Sequence, residues 1–236
     1  MHNTELLEAI RSALRSAADA DRGRGAQAYM KSEMPSLGVR VPEVRRITKE
    51  AAKQFPLASP EDVRRAVLEL WRNAEAREER YAAIDLTGLP LVKEDLGMLP
   101  VYEEIIRTGA WWDLVDGVAH RIGALLLAHP EIMRPLLVQW SADQDMWIRR
   151  SSITAQLGAK AKTDTALLSV VIQANLADKE FFIRKAIGWA LREFSKTDPA
   201  SVRAFAAENA PALSPLSTRE ALRLLSARPR GQDGLK

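Results

Sequence analysis

Apolar residues recur along most of the chain at the three- and four-residue intervals of helices that bury one face. Two clear examples are the sets Leu6, Leu7, Ile10, Leu14 and Val63, Val67, Leu70, Trp71. Alternating runs of β-branched residues, which would indicate strands, are nearly absent. The pattern therefore predicts an all-α protein without a sheet.

Prolines and glycines punctuate this pattern at short intervals. The prolines expected near helix ends are Pro42, Pro60, Pro90, Pro100, Pro130 and Pro199. Gly109 and Gly158 are expected to end helices at their C-termini. The spacing predicts about a dozen helices of about 11–16 residues each.

A repeat is visible in the second half of the chain. Asp143, residues 147–150 and Ala155 align with Asp178, residues 182–185 and Ala190 at an offset of 35 residues. A period of this length with two helices per unit is typical of an α-solenoid of antiparallel helix pairs. We expect one such domain over residues 1–227 and a flexible tail over residues 228–236.

Composition excludes several chemistries. The 236 residues contain no Cys and only three His, which excludes a thiolate nucleophile or disulfides and disfavours a metal centre. The longest strongly apolar stretch, residues 122–128, is far shorter than the roughly 20 residues that cross a bilayer. The N-terminus is acidic where a signal peptide is basic. We therefore expect a cytoplasmic protein that uses no metal or cofactor and makes no membrane contact.

The net charge of +3 is too small to indicate a partner, but the bases recur with the repeat. Arg149 and Arg150 follow one bulky apolar pair, and Arg184 and Lys185 follow the next. Stacked in register, they would line a concave basic cleft suited to duplex DNA. Considered alone, such runs are more often plain solvated surface.

Two short strings carry candidate chemistry. Trp112 and Asp116 are one helical turn apart, and Trp189 follows Gly188, which permits close approach of another chain segment. A carboxylate between indoles stabilises a cation. The ordinary alternative is that the indoles are core residues and the carboxylates are caps, as we expect for Asp113.

The chain resembles the AlkD-like DNA alkylation repair family, which consists of HEAT-like repeat glycosylases acting on alkylpurines. The resemblance extends from about residue 28 to residue 220 and is carried by Trp-Trp-Asp-Leu-Val-Asp (111–116) and Lys-Ala-Ile-Gly-Trp (185–189). Further matching segments are residues 28–31, 37–39, 146–150 and 181–193, together with Pro42.

The resemblance implies roles for five residues. Asp116 takes the position of the catalytic carboxylate, and Trp112 and Trp189 those of the indoles that flank the damaged nucleotide's backbone. Arg150 and Tyr29 match DNA-contacting residues. The implied activity is cofactor-free hydrolytic excision of N3- or N7-alkylated purines from double-stranded DNA by a monomer, without base flipping.

Two alternatives remain open at this point. One is a non-catalytic HEAT-like scaffold that binds nucleic acid or protein. The other is a lyase that forms a Schiff base with a lysine. The available lysines are Lys31, Lys160, Lys162, Lys179 and Lys185. His120 is placed outside the catalytic set, because a lone histidine near a helix is most often structural.

Overall fold

The structure, a computed structural model, describes residues 2–225, and every regular element in that range is a helix. The α-helices are α1 His2–Ser16, α2 Ala20–Met30, α3 Val41–Gln54, α4 Pro60–Arg72, α5 Arg77–Leu86, α6 Leu99–Gly109, α7 Trp112–Val115, α8 Ala119–Ala128, α9 Pro130–Trp140, α10 Met146–Thr154, α11 Thr165–Gln173, α12 Phe181–Ser195, α13 Pro199–Glu208 and α14 Pro215–Leu222. Short 3₁₀ helices span Pro90–Val92, Leu96–Met98, Asp116–Val118 and Lys160–Lys162. The predicted all-α fold is confirmed, and the predicted tail, residues 228–236, lies outside the described residues.

Most of the punctuation predicted from the sequence is also observed. All six of those prolines occupy one of the first two positions of a helix, where a missing N–H leaves no hydrogen bond unmade. Gly109 ends α6, and the next residue, Ala110, adopts a left-handed conformation with φ 42°. Gly158 has φ 82°, but α10 already ends at Thr154, so the expectation that Gly158 ends this helix is wrong. The prolines and Gly109 therefore mark helix ends, whereas Gly158 belongs to the turn that follows one.

The described chain divides into two compact units between Ala124 and Leu125. In the first unit α1 packs on α3, α3 on α5, and α5 on α7, while α4 packs on α5 and α6. Leu70, Trp71 and Tyr102 are among its fully buried side chains. Odd-numbered helices thus form a row that ends at α7.

In the second unit α10 packs on α12 and α12 on α14, while α9 packs on α10 and α11. Ile148, Ile183 and Ile187 are buried along this α10–α12–α14 row. The two units differ in which helices pack together, which does not test whether they form one domain. The expected single domain over residues 1–227 therefore stays a prediction.

The predicted 35-residue repeat has a structural counterpart in the loops that precede α10 and α12. Asp143 Oδ1 accepts the backbone N–H of Asp145 at 2.8 Å, and Asp178 Oδ1 accepts that of Glu180 at 2.8 Å. Helices α5, α7, α10 and α12 begin at residues 77, 112, 146 and 181, which are spaced by about one repeat length. The structural repeat therefore begins at α5, before residues 143–190, where the sequence repeat is visible.

Candidate functional site

Residues 110–118 form a short, sharply bent segment at the end of the first unit's row. After the left-handed Ala110, Trp111 is extended, with φ −151°, and α7 then makes only one turn, of four residues. The segment is anchored by the buried side chains of Leu114 and Val115. A Cβ on Gly109 would lie 3.1 Å from the Trp71 ring and 3.3 Å from Leu114 Cβ, so a glycine permits this close packing.

Trp112 and Asp116 are both half-buried, at the two ends of this turn. The backbone N–H of Asp116 donates to the Trp112 carbonyl, which preserves the one-turn relation predicted from the sequence. The chain does not continue from α7 to His120 as one regular α-helix, because it makes a 3₁₀ turn over Asp116–Val118 before α8 begins. His120 itself is exposed.

Asp113 lies on the inner side of the turn and is held by two residues of α5. Its Oδ1 accepts Arg77 Nη2 at 2.5 Å, and its Oδ2 accepts Arg77 Nε at 3.0 Å and Tyr81 Oη at 2.5 Å. Burial opposes the charge of Arg77, but Asp113 outweighs it and raises the pKa of Arg77. Burial and the same carboxylate raise the pKa of Tyr81, so Tyr81 remains a donor.

Tyr29 lies in the last turn of α2 and is 77% exposed. The chain after it is tied back to α5. Arg77 donates its backbone N–H to the Pro35 carbonyl at 2.9 Å and its Nη1 to Ser32 Oγ at 3.1 Å. Tyr29 is therefore presented to solvent beside a fixed segment.

Glu78, the next residue of α5, fixes the turn that follows. Its carboxylate accepts the backbone N–H groups of Leu37 at 2.9 Å and Gly38 at 2.8 Å, and the Ser36 hydroxyl at 2.7 Å. Glu78 is only 2% exposed, and these three donors satisfy a carboxylate that burial would otherwise destabilise. The motif residues 37–39 thus serve to anchor the N-terminal segment.

In the second unit, Trp189 lies half-buried on α12, directly after a glycine that packs against α14. A Cβ on Gly188 would lie 2.5 Å from Glu220 Cβ and 3.0 Å from the Ser217 carbonyl oxygen. The close approach that the sequence suggested at Gly188 is therefore observed. Glu220 in turn accepts Lys185 Nζ at 2.9 Å and also pairs with Arg192.

The charge of Glu220 is set by this contact. The hydrogen bond from Lys185 and the positive charges of Lys185 and Arg192 hold the pKa of Glu220 below its usual range, against the effect of burial. Lys185 therefore forms an ion pair with a carboxylate, although 39% of its side chain remains exposed.

Replacing Gly188 with alanine should destabilise the second unit. The added methyl has no room between α12 and α14, and overpacking of this kind costs about 1–3 kcal/mol. Thermal unfolding followed by circular dichroism measures the effect. An unchanged Tm for Gly188→Ala would show that the two helices separate freely at this point, contrary to the packing described here.

The other predicted cations of the repeat are engaged within the protein. Arg149 pairs with Asp178 at 2.9 Å and donates to the Asp143 carbonyl at 2.8 Å, while Arg184 Nε donates to the Asp178 carbonyl at 2.8 Å. Each arginine thus fastens the loop before its own helix. The sequence predicted that both arginines contact DNA from the surface. The structure shows that each also bonds to a loop of the protein, and the DNA contact stays a prediction.

Arg150 is buried, with 3% exposure. The sequence predicted a DNA contact for this residue and gave no indication of its burial. Its Nη1 donates to the Phe182 carbonyl at 2.6 Å, and its guanidinium carbon lies 6.0 Å from the centre of the Phe182 ring. Phe181, by contrast, is 57% exposed. A direct phosphate contact by Arg150 requires its side chain to become accessible, and such a contact stays a prediction.

Sequence reasoning missed Arg77, Tyr81 and Glu78, whose partners outside α5 are 32 or more residues away along the chain. One signal was available: Arg77 opens a helix one repeat length before Trp112. Among residues 2–225, no group of three or more His, Cys, Asp or Glu side chains is arranged to hold a metal ion. None of the helices described is both long and apolar enough to span a membrane.

Comparison with known proteins gives consistent matches. The sequence profile described as DNA alkylation repair enzyme matches residues 10–225. A solved structure described as a predicted DNA alkylation repair enzyme from Enterococcus faecalis is similar with a TM-score of 0.79 and 29% sequence identity, covering 89% of this chain and 98% of that one. A search of functionally curated proteins gives no match.

Proposed function

Because the chain belongs to the DNA alkylation repair enzyme family, we propose that it is a DNA glycosylase that hydrolyses the N-glycosidic bond of N3- or N7-alkylated purines. The observation that carries this proposal is the turn that places Asp116 directly after α7, with its N–H bonded to the carbonyl of the half-buried Trp112. An indole and a carboxylate on adjacent positions of one turn form a site for a cation.

The chemistry needs little from the protein. Alkylation at N3 or N7 gives the purine a positive charge, so the bond to the sugar breaks with its electron pair passing to the base, which leaves neutral. The positive charge that develops on the sugar is opposed by the Asp116 carboxylate. Water then adds to the anomeric carbon and loses a proton, giving an abasic site. Each 1.4 kcal/mol of such stabilisation is worth about tenfold in rate.

The supporting residues contact the DNA backbone in this proposal. Tyr29 is 77% exposed, and Trp189 and the partly exposed Lys185 lie on α12. Each desolvated indole adds about 0.5–2 kcal/mol of attraction for a cation. Arg149 and Arg184 act indirectly by holding their loops, and Arg150, which is 3% exposed, contacts DNA only when its side chain becomes accessible.

The proposed enzyme acts as a monomer on double-stranded DNA and leaves the damaged base in the helix. Because it would recognise the sugar-phosphate backbone and not the base, the charge of the lesion would decide whether excision occurs. Most glycosylases instead read the flipped base in a pocket. Bulky cationic adducts are then expected substrates, and stable neutral lesions are not.

Neutral lesions should therefore be poor substrates. Duplexes carrying hypoxanthine or uracil should release their base more than about tenfold more slowly than a duplex carrying N7-methylguanine, since the neutral base is a worse leaving group. Single-turnover excision followed by alkaline cleavage of the abasic strand measures both rates. Comparable rates on neutral and cationic lesions would contradict recognition through leaving-group charge.

The scaffold and lyase alternatives each predict a different product. A scaffold would bind the duplex without releasing a base. The lysine lyase alternative predicts a covalent adduct when borohydride is added with an abasic strand. Our proposal expects base release and no such adduct.

A further inference from the structure

A buried ion-pair cluster of Arg77, Tyr81 and Asp113 joins the turn of α7 to α5. Arg77 offers two nitrogens to the two oxygens of Asp113, at 2.5 and 3.0 Å, and Tyr81 donates to the same carboxylate at 2.5 Å. The side chains of Arg77 and Asp113 are only 7% and 10% exposed. Such a two-point contact fixes the orientation of Asp113 as well as its position.

The same arginine reaches the segment that follows Tyr29. Arg77 Nη1 donates to Ser32 Oγ at 3.1 Å, and the Ser32 hydroxyl donates to the Met34 carbonyl at 3.1 Å. The backbone N–H of Arg77 bonds to the Pro35 carbonyl at 2.9 Å. One guanidinium therefore contacts the turn that carries Trp112 and Asp116 and also the segment after Tyr29, the three residues of the first unit for which the family resemblance implies roles at the DNA.

Stability alone does not explain this arrangement. A buried ion pair contributes little more than well-packed apolar side chains of similar volume, because desolvation offsets the attraction between its charges. The two-point hydrogen bond from Arg77 also fixes the orientation of the Asp113 side chain, which non-directional apolar contacts would not do. The α7 turn has only four residues, too few to hold its own geometry, so it depends on contacts with other elements: the packing of the buried Leu114 and Val115 and the two-point contact at Asp113.

Resting on the function proposed above, we propose that Arg77, Tyr81 and Asp113 are positioning residues that hold the Trp112–Asp116 turn in fixed register with the segment after Tyr29. None of the three is assigned a contact with the DNA. Their effect passes through Asp113, which lies between the indole and the carboxylate in the chain.

Two conservative variants test the cluster. Tyr81→Phe removes one hydroxyl, and Asp113→Asn removes the charge while keeping the shape. Each should lower the single-turnover excision rate on N7-methylguanine duplex by about tenfold, as loss of precise positioning does. The Kd for undamaged duplex should stay within about twofold. Excision at the wild-type rate in both variants would overturn the proposal.

The matched control is Arg11→Lys, which weakens a different buried contact of α5, the 3.2 Å pair of Arg11 with Glu79. It should lower Tm without changing the excision rate at a temperature where the protein is folded. An equal loss of excision in the control and in Tyr81→Phe would show that stability alone is responsible, and would overturn the proposal.

A triple variant separates folding from positioning. Arg77→Met, Tyr81→Phe and Asp113→Leu together replace the cluster with apolar side chains, a change that buried ion pairs often tolerate without loss of stability. We expect a folded protein that binds DNA but excises at least about tenfold more slowly. Wild-type excision in this variant would overturn the proposal.

Amide hydrogen exchange gives a readout that does not depend on catalysis. In Asp113→Asn, residues 32–38 and 112–118 should both exchange faster than in the wild type, and neither should change in Arg11→Lys. Unchanged exchange at both segments would overturn the positioning role, whatever the excision rate. If the wild-type protein released no base, the proposed glycosylase function would be overturned. The hydrogen-exchange result would still decide whether the cluster positions the two segments.

Discussion

Asp116→Asn should reduce the rate of N7-methylguanine excision by about 100- to 1000-fold, the loss expected when one group that stabilises transition-state charge is removed. The substitution keeps the size of the side chain and the backbone hydrogen bond to Trp112. The negative charge that the proposed mechanism places opposite the developing sugar cation disappears. Single-turnover kinetics with enzyme in excess measure the chemical step directly, and binding to the lesion duplex should persist.

Asp198→Asn is the matched control. Asp198 caps α13 through a hydrogen bond from the backbone N–H of Ser201 at 2.9 Å. Because asparagine caps helices about as well as aspartate, this variant should retain both stability and excision. Asp113→Asn provides a second comparison, with a smaller loss. If Asp113→Asn abolished excision while Asp116→Asn retained it, the roles of these two carboxylates would be reversed.

Gly38→Ala should have the largest effect on stability. Gly38 has φ 77°, a conformation that costs a side chain about 1–2 kcal/mol, and its added Cβ would lie 2.2 Å from the Asp19 carbonyl oxygen and 2.5 Å from the Gly23 nitrogen. Both neighbours are backbone atoms, so neither can move alone. We expect a loss of about 3 kcal/mol or more in the free energy of unfolding, measured by urea denaturation.

Gly25→Ala is the control for this change. Gly25 lies within α2, and a Cβ there meets nothing within 4 Å. Replacing it should stabilise the protein by up to about 1 kcal/mol, because alanine favours a helix over glycine. If Gly38→Ala unfolded at the same urea concentration as the wild type, the turn held by Glu78 would not be rigid.

The helical architecture was accessible from the sequence because its determinants are local. Proline is favoured in the first turn of a helix and disfavoured further in, so residues such as Pro60 and Pro130 indicate helix starts, although Pro135 lies inside α9. The repeat was visible because Asp143 and Asp178 each accept the backbone N–H of the residue two positions further on, in successive repeats. Local rules of this kind predict where elements lie, but not what their side chains contact.

The charged residues show the limit of that reasoning. The sequence presents Arg149 and Arg184 as bases beside bulky residues, and nothing nearby in the chain reveals that both reach back to loop carbonyls. Arg150 differs from them only in facing inwards, where it is 3% exposed. A charge pattern gives the spacing of cations, whereas their availability depends on the packing of helices one repeat away.

The site was predictable in its chemistry but not in its support. The spacing of Trp112 and Asp116 already placed an indole and a carboxylate one turn apart, and the backbone bond between them agrees with this. The 3₁₀ turn after Asp116 was not foreseen, because a single tightened turn leaves no periodic signal. The fork from Arg77 to Asp113 spans 36 residues and emerges only from the contact of α5 with α7.

Release of charged alkylpurines as free bases is tested most directly by mass spectrometry of the products. The wild-type protein is incubated with a duplex that carries one N7-methylguanine, and the free base and the abasic strand are both quantified against a protein-free control. We expect free N7-methylguanine and an equal amount of abasic strand, well above spontaneous depurination. A duplex that is bound by the protein but keeps its methylated base would contradict the account.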